Sequence, residues 1–259
     1  MTQTAKERLG FRNERNSPHS SRTIMLDELT TLLEVVPIMD ATHAEYRKAI
    51  IEDNALAKRS EQTRGLTCRH MTEIYGLDSK LTIFRGLRYL WTRDPASRPM
   101  LALLCAMTRD TILRNSAEPI LALHERDELP RTTMEQWIND QEHGRFSPAT
   151  LKSAAQNLNS SWTKSGHLTG KVRKFRSIPA QTAGAAAFAL FIGFLDGGRG
   201  ENLLTTPFAK ILDCPSSKIL ELAESASLRG WITLKRVGNV IEVAFPNMLR
   251  PEELEWLRE

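Results

Sequence analysis

Thirteen consecutive residues, 183–195, carry no charge and consist almost wholly of Ala, Phe, Leu, Ile and Gly. A bilayer core needs roughly 20 apolar residues, so this run is too short to cross a membrane, and Gln181 and Asp196 flank it closely. An apolar run of this kind reads as a buried core helix. Helical periodicity also dominates the chain from Ile24 onward. Tyr46, Ile50 and Ile51 share one face, Leu66, Met71, Ile74 and Tyr75 another, and Leu81, Phe84, Leu87, Leu90 and Trp91 a third. Asp78 or Ser79 can cap the third of these helices. Pro95 and Pro99 bracket the turn into a further apolar helix through Leu101, Leu104, Cys105 and Ile112. Almost no alternating, β-branched run precedes residue 168. With 41% hydrophobic residues in 259, the chain can bury a sizeable core without disulfide or metal staples.

The grammar changes near residue 129. Met134, Trp137 and Ile138 anchor a short helix over 132–141, and a tight connector follows at His143 and Gly144. Ser147 is a natural N-cap and Pro148 suits the first helical position, so a second helix begins there. Its apolar stripe is Leu151, Ala154, Ala155, Leu158 and Trp162. Thr169 and Gly170 then turn the chain, and 171–178 can extend as a strand. Helix, turn, helix and hairpin in that order is the layout of a winged helix-turn-helix. A weaker copy follows, with helices over 202–212 and 216–228, strands over 231–236 and 240–245 about a Gly238-Asn239 turn, and a short amphipathic helix over 251–257. The expected fold is therefore mainly α: a helical bundle with winged helix-turn-helix-like elements and small β-hairpins. Four units are expected: a flexible N-terminal arm over 1–22, poor in apolar residues; a helical bundle over 23–128; a winged module over 129–178; and the core helix with a second winged-helix-like module over 179–259.

Charge is distributed unevenly. Between Glu142 and Asp196 there is no carboxylate side chain, yet this stretch holds Arg145, Lys152, Lys164, Lys171, Arg173, Lys174 and Arg176. The whole chain has 35 basic and 31 acidic residues and a formal charge of +4; without these seven the balance is −3. A local basic stripe on an otherwise acidic body points to a polyanionic partner. On the helix after Ser147, Thr150, Lys152, Ser153, Gln156, Asn157, Asn159 and Ser160 lie away from the apolar stripe, and none is acidic. Gln and Asn can pair bidentately with adenine in the major groove, Ser and Thr can serve bases or phosphates, and Lys152 can reach guanine or backbone. Lys171, Arg173, Lys174 and Arg176 around Phe175 would lie along the phosphate backbone as a wing. The expected nucleic-acid-binding residues are thus Arg145, Thr150, Lys152, Ser153, Gln156, Asn157, Lys164, Lys171, Arg173, Lys174 and Arg176. The helix at the corresponding place in the second module shows Lys218, Glu221, Glu224 and Arg229, which argues for a structural or protein-binding role, with nucleic-acid binding through Lys235 and Arg236 of its wing as the alternative.

Enzyme motifs are missing from the sequence. The Gly193, Gly197, Gly198 and Gly200 cluster lacks the order and the lysine of a phosphate-binding loop. Ser165 and His167 have no nucleophile elbow or acid partner, and the six histidines fall at no metal-ligand spacing. Arg109 and Asp110 interrupt an apolar helix and are expected to be paired. No catalytic residue, cofactor or metal is expected. Cys68, Cys105 and Cys214 are odd in number and widely spaced, and the N-terminus lacks the apolar core of a secretion signal, so a cytoplasmic protein with free thiols is expected.

Several strings resemble the BrxA family of BREX bacteriophage-exclusion systems: Asn54-Ala55-Leu56-Ala57-Lys58-Arg59 with Thr63-Arg64; Leu103-Leu104-Cys105-Ala106 with Arg109-Asp110 and Leu113-Arg114; Ser160-Ser161-Trp162-Thr163-Lys164-Ser165-Gly166-His167-Leu168; and Gly197-Gly198-Arg199-Gly200. The resemblance spans about residues 40 to 250. It implies a small, mostly helical, non-catalytic protein of a defence island, compared in architecture with the RNA-binding antitermination protein NusB, and it implies DNA binding. The expected function is a DNA-binding accessory protein of phage defence, with double-stranded DNA and other defence-system proteins as partners and no membrane. RNA binding and a protein-docking scaffold are the alternatives. The residues leave open whether the chain forms a homodimer.

Overall fold

The computed structural model describes residues 3–12, 18–238 and 240–257. It is mainly helical. Within those residues the chain runs through α1 (Gln3–Leu9), α2 (Leu26–Val35), α3 (His43–Ile51), α4 (Glu61–Tyr75), α5 (Thr82–Arg93), α6 (Arg98–Met107), α7 (Thr111–Asn115) and α8 (Ala117–Leu121) before its first strand, β1 (Glu128–Leu129). Then come α9 (Arg131–Gln141), α10 (Pro148–Lys164), β2 (Leu168–Thr169), β3 (Lys174–Arg176) and α11 (Ala183–Leu195). The chain continues with α12 (Pro207–Lys210), α13 (Ser216–Leu228), β4 (Thr233–Val237), β5 (Val240–Ala244) and α14 (Pro251–Trp256).

The uncharged run is α11, and every residue of it except Phe194 is buried. α5, α6, α12 and α13 surround it. Its approach to α5 is close enough that a Cβ on Gly86 would stand 2.5 Å from the Phe191 ring. Each fully buried Phe, Leu or Ile here contributes about 1.5–3 kcal/mol over its exposed state, which is why a run without charge becomes the centre. Two arginines penetrate the same region. Arg88 is buried and donates to the carbonyls of Val36 and Ile38, each at 2.9 Å, satisfying backbone acceptors just beyond the end of α2. Arg85 pairs with Glu253, which also accepts from Thr82 Oγ1 at 2.7 Å, and this buried cluster fastens α14 onto α5.

The two small sheets are antiparallel. In the first, β3 is the middle strand, pairing Phe175 with Glu128 on one side and with Thr169 on the other. The second is the β4–β5 hairpin, with Val237 opposite Val240. Gly238 sits at φ +59° in its turn; Asn239 lies outside the described residues. The expected helix over 202–212 is instead a 3₁₀ turn over Gly200–Thr205 followed by the single turn of α12. The expected caps at Asp78 and Ser79 are likewise replaced. Leu81 precedes α5 without a side-chain cap, while Ser79 Oγ donates to Asp40 O and Asp78 accepts from Lys80 N.

The N-terminal segment is a correction to the expectation of a flexible arm. α1 buries Ala5 and Leu9, and Phe11 follows them into the core. Further along, the 3₁₀ turn Pro18–Ser20 is buried at Pro18 and His19. Few apolar residues suffice because the remainder of the chain supplies their partners. Glu14 and Arg15, also read as part of the arm, lie outside the described residues.

Candidate nucleic-acid interface

α10 starts where its cap dictates, with Ser147 Oγ accepting from Thr150 N at 3.3 Å and Pro148 in the first turn. Ala154, Ala155, Leu158 and Trp162 are buried, and Leu151 is half-buried. A second face is buried too, which the helical stripe alone does not reveal. The Pro18–Ser20 turn lies on it: Asn157 Nδ2 donates to His19 O at 3.1 Å, and Ser161 Oγ accepts from Ile24 N at 3.0 Å. Lys152, Ser153 and Gln156 stay exposed and Thr150 is half-buried. Asn157 is therefore partly engaged in structure, and the free edge of α10 is narrower than its sequence implies.

β2 and β3 form the wing. Its turn needs Gly170, which has φ +94° and lies so close to Arg173 O that a Cβ would clash at 2.2 Å. The strand expected over 171–178 shrinks to Lys174–Arg176, leaving Lys171, Val172 and Arg173 in the exposed loop. Val172, at 94% exposure, is the most exposed large apolar residue among the described residues.

The charge gap in the sequence is not a gap in space. Carboxylates from outside the stretch or at its edge come to four of the seven cations. Arg145 pairs with Glu142 at 3.2 Å, and Lys164 with Asp27 of α2. Arg173 meets Glu128 of β1 bidentately, with Nε to Oε1 at 2.8 Å. Arg176 is buried against Asp213 and also donates to the carbonyls of His167 and Ser177. Arg176 is thus a brace between the wing base and the loop after α12, not a residue free to contact phosphate. A buried guanidinium without a carboxylate would be costly. The Arg173 hydrogen bonds hold the Glu128 carboxyl below its usual range, and Glu128 in turn raises Arg173. Lys152 and Lys171 are exposed and make no ion pair among the described residues, and Lys174 Nζ donates only to Gly170 O, at 2.7 Å. Partial burial lowers Lys174.

Between wing and helix lies a cleft of about 690 Å³. Gln156, Asn159 and Ser160 of α10 line it together with Lys171, Arg173 and Lys174, as do Glu128 of β1 and Arg131 at the start of α9. Sequence reasoning missed Glu128 and Arg131. β1 has only two residues, too few for a period-2 pattern, and both positions precede the carboxylate-free stretch.

Two histidine arrays sit beneath this surface. His19 Nδ1 is 2.8 Å from Asp110 Oδ2 and its Nε2 is 3.0 Å from Ser161 Oγ. This is the connectivity of a serine–histidine–aspartate relay, but all three residues are buried and no substrate reaches the serine. Asp110 also caps α7 through Leu113 N at 3.0 Å, while the neighbouring Arg109 donates to Glu73 O and Gly10 O. In the second array His167 donates from Nε2 to Ile211 O at 2.8 Å, and Ser165 Oγ lies 2.8 Å from Nδ1. Burial lowers the His167 pKa to about 4, outweighing the opposite effect of the Ile211 bond. Trp162 packs edge-on against His167 and donates to Ser116 Oγ at 2.9 Å. The Ser-Trp-x-x-Ser-Gly-His string is therefore a buried joint between α10, the wing and α12.

The second module differs at the equivalent helix, where Lys218 on α13 pairs with Glu221 at 2.8 Å. Among the described residues no helix is long and apolar enough to cross a membrane, and no group of three or more His, Cys, Asp or Glu side chains is placed to hold a metal. Comparison with models of known protein families and with curated proteins finds no match to the chain.

Proposed function

We propose that this is a non-catalytic DNA-binding protein that engages double-stranded DNA through the free edge of α10 and the wing. The observation that carries the reading is the cleft between them, where Gln156 and Ser160 face Lys171 and Lys174. Its supports are the strand–helix–helix–strand–strand order around that cleft, the absence of acidic residues on α10 and the lack of an ion pair at Lys152, Lys171 and Lys174 among the described residues. Such an arrangement positions a helix at base edges while the wing neutralises phosphates. Binding rather than chemistry is favoured because the Ser161–His19–Asp110 array is sealed. The likeness of the Ser160–Leu168 stretch and its companion strings to the BrxA family supports a role in a phage-defence assembly.

The test is fluorescence anisotropy with a labelled duplex at low salt, competed by single-stranded RNA and by duplex DNA. Salt-sensitive binding, preferential competition by duplex DNA and a loss in the Lys152→Ala/Lys171→Ala/Lys174→Ala variant are expected. Equal binding by that variant overturns the assignment, and preferential competition by RNA replaces DNA with RNA as the ligand.

A further inference from the structure

The helical bundle carries a second basic surface that no sequence stripe announces, because its arginines come from four separate parts of the chain. Two adjoining depressions of about 360 and 200 Å³ share Arg12, Arg69 and Glu73. Arg47 and Arg109 line the larger one as well, and Arg22 lies near enough to influence His70 in the smaller. Among the described residues, Glu73 is the one carboxylate lining either depression. Its pairing with Arg69 is loose at 3.8 Å, as is that of Arg47 with Glu52 at 3.9 Å. Both arginine side chains are more than half exposed, at 63% and 54%. This contrasts with Arg173, which Glu128 holds by direct hydrogen bonds. Loose surface pairs contribute little and exchange readily for another anion.

We infer that this surface takes the phosphate backbone of the same nucleic acid that α10 and the wing contact, an inference that rests on the function proposed for that module. Guanidiniums suit phosphate because their planar fork donates two bonds at once. The smaller depression reaches the turn that packs on α10. Pro18 and Ser20 line the smaller depression, and they belong to the turn whose His19 packs on Asn157 and Ser161 of α10. A polymer fits better than a free nucleotide, because the cations are spread along two connected depressions instead of converging in one.

Gly65 offers a test that removes nothing. It lines the larger depression within α4, and a Cβ there would meet nothing within 4 Å. Gly65→Glu, Gly65→Gln and Gly65→Lys should all fold, with thermal midpoints no lower than that of the parent, since each replaces a helical glycine. With a labelled mixed-sequence duplex, Gly65→Glu should bind roughly eightfold more weakly than Gly65→Gln at 0.1 M salt, with a salt slope smaller by about 0.9, and Gly65→Lys should shift both the other way. If the three variants bind alike while Lys171→Ala/Lys174→Ala still weakens binding, the bundle surface is refuted and the module reading stands. If the Gly65 series responds and the wing variants do not, the bundle contact stands and the module reading fails. A full-length protein that binds no duplex even at low salt overturns both.

Discussion

Glu128→Gln should make the protein bind DNA more tightly, which is the reverse of what removing a polar residue from a binding cleft ordinarily does. Glu128 sits on β1 opposite Phe175 and holds the Arg173 guanidinium with both oxygens. Replacing it with glutamine keeps the shape and the strand pairing, deletes a negative charge beside the cleft and releases Arg173 to the solvent side. Among the described residues, the module's three cations without a carboxylate partner are Lys152, Lys171 and Lys174, and each phosphate neutralised adds about 0.9 to the dependence of log K on log salt. Those three residues correspond to a slope of about 2.7 from this module, against about 6 if all seven cations of the sequence stripe took part. The variant should add about 0.9 to the wild-type slope and bind roughly eightfold more tightly at 0.1 M salt. Anisotropy titrations of one duplex over a series of salt concentrations measure both quantities. An unchanged slope would refute the reasoning, because it would mean that phosphate already displaces Glu128 from Arg173 in the wild-type complex.

Three further outcomes are expected. His167 is buried neutral with a pKa of about 4, whereas the unfolded chain titrates near 6.5, so the unfolded state holds the extra proton between those values. Stability should be complete above pH 6.5 and fall by about 3 kcal/mol as pH drops through this window; urea unfolding at pH 7 and pH 4.5 should show a smaller decline in His167→Gln, and an equal one would contradict the assignment. Glu253→Ala leaves Arg85 buried without its carboxylate and should cost about 3–5 kcal/mol, with residues 250–257 becoming open to limited proteolysis; a stability change below 1 kcal/mol, outside the roughly 3–5 range of such losses, would count against α14 docking through this pair. Gly170→Ala forces a Cβ against Arg173 O at positive φ, so the wing turn must rearrange; duplex binding and the thermal midpoint should both fall, and full binding would show that the wing turn does not shape the interface.

Parts of this structure are local and could be read locally. The uncharged run had only one place to go, Ser147 and Pro148 marked the start of α10 to the residue, and Gly238 marked the turn of the second hairpin. These signals reside in consecutive residues, where periodicity, capping and φ preference act. The candidate interface was legible only in outline. Thr150, Lys152, Ser153, Gln156, Lys171 and Lys174 were identifiable because a helix edge and a hairpin tip are exposed by their periodicity. The fate of the other cations was not.

Burial and pairing depend on distance in space, and the chain does not encode that distance in its order. Asp27 reaches Lys164, Glu128 reaches Arg173, and Asp213 reaches Arg176, so a stretch without carboxylates acquires them on folding. The same holds in reverse for the bundle, where arginines scattered from Arg12 to Arg109 gather around Glu73. The N-terminal segment follows the same rule, since His19 needed Asp110 and Ser161 to become part of the core. By itself the sequence determined a mainly helical chain with a central apolar helix and small hairpins, because those follow from near-neighbour preferences. Only the tertiary structure decided which charges remain open to a partner, because Coulomb attraction and desolvation act between groups that meet in the fold.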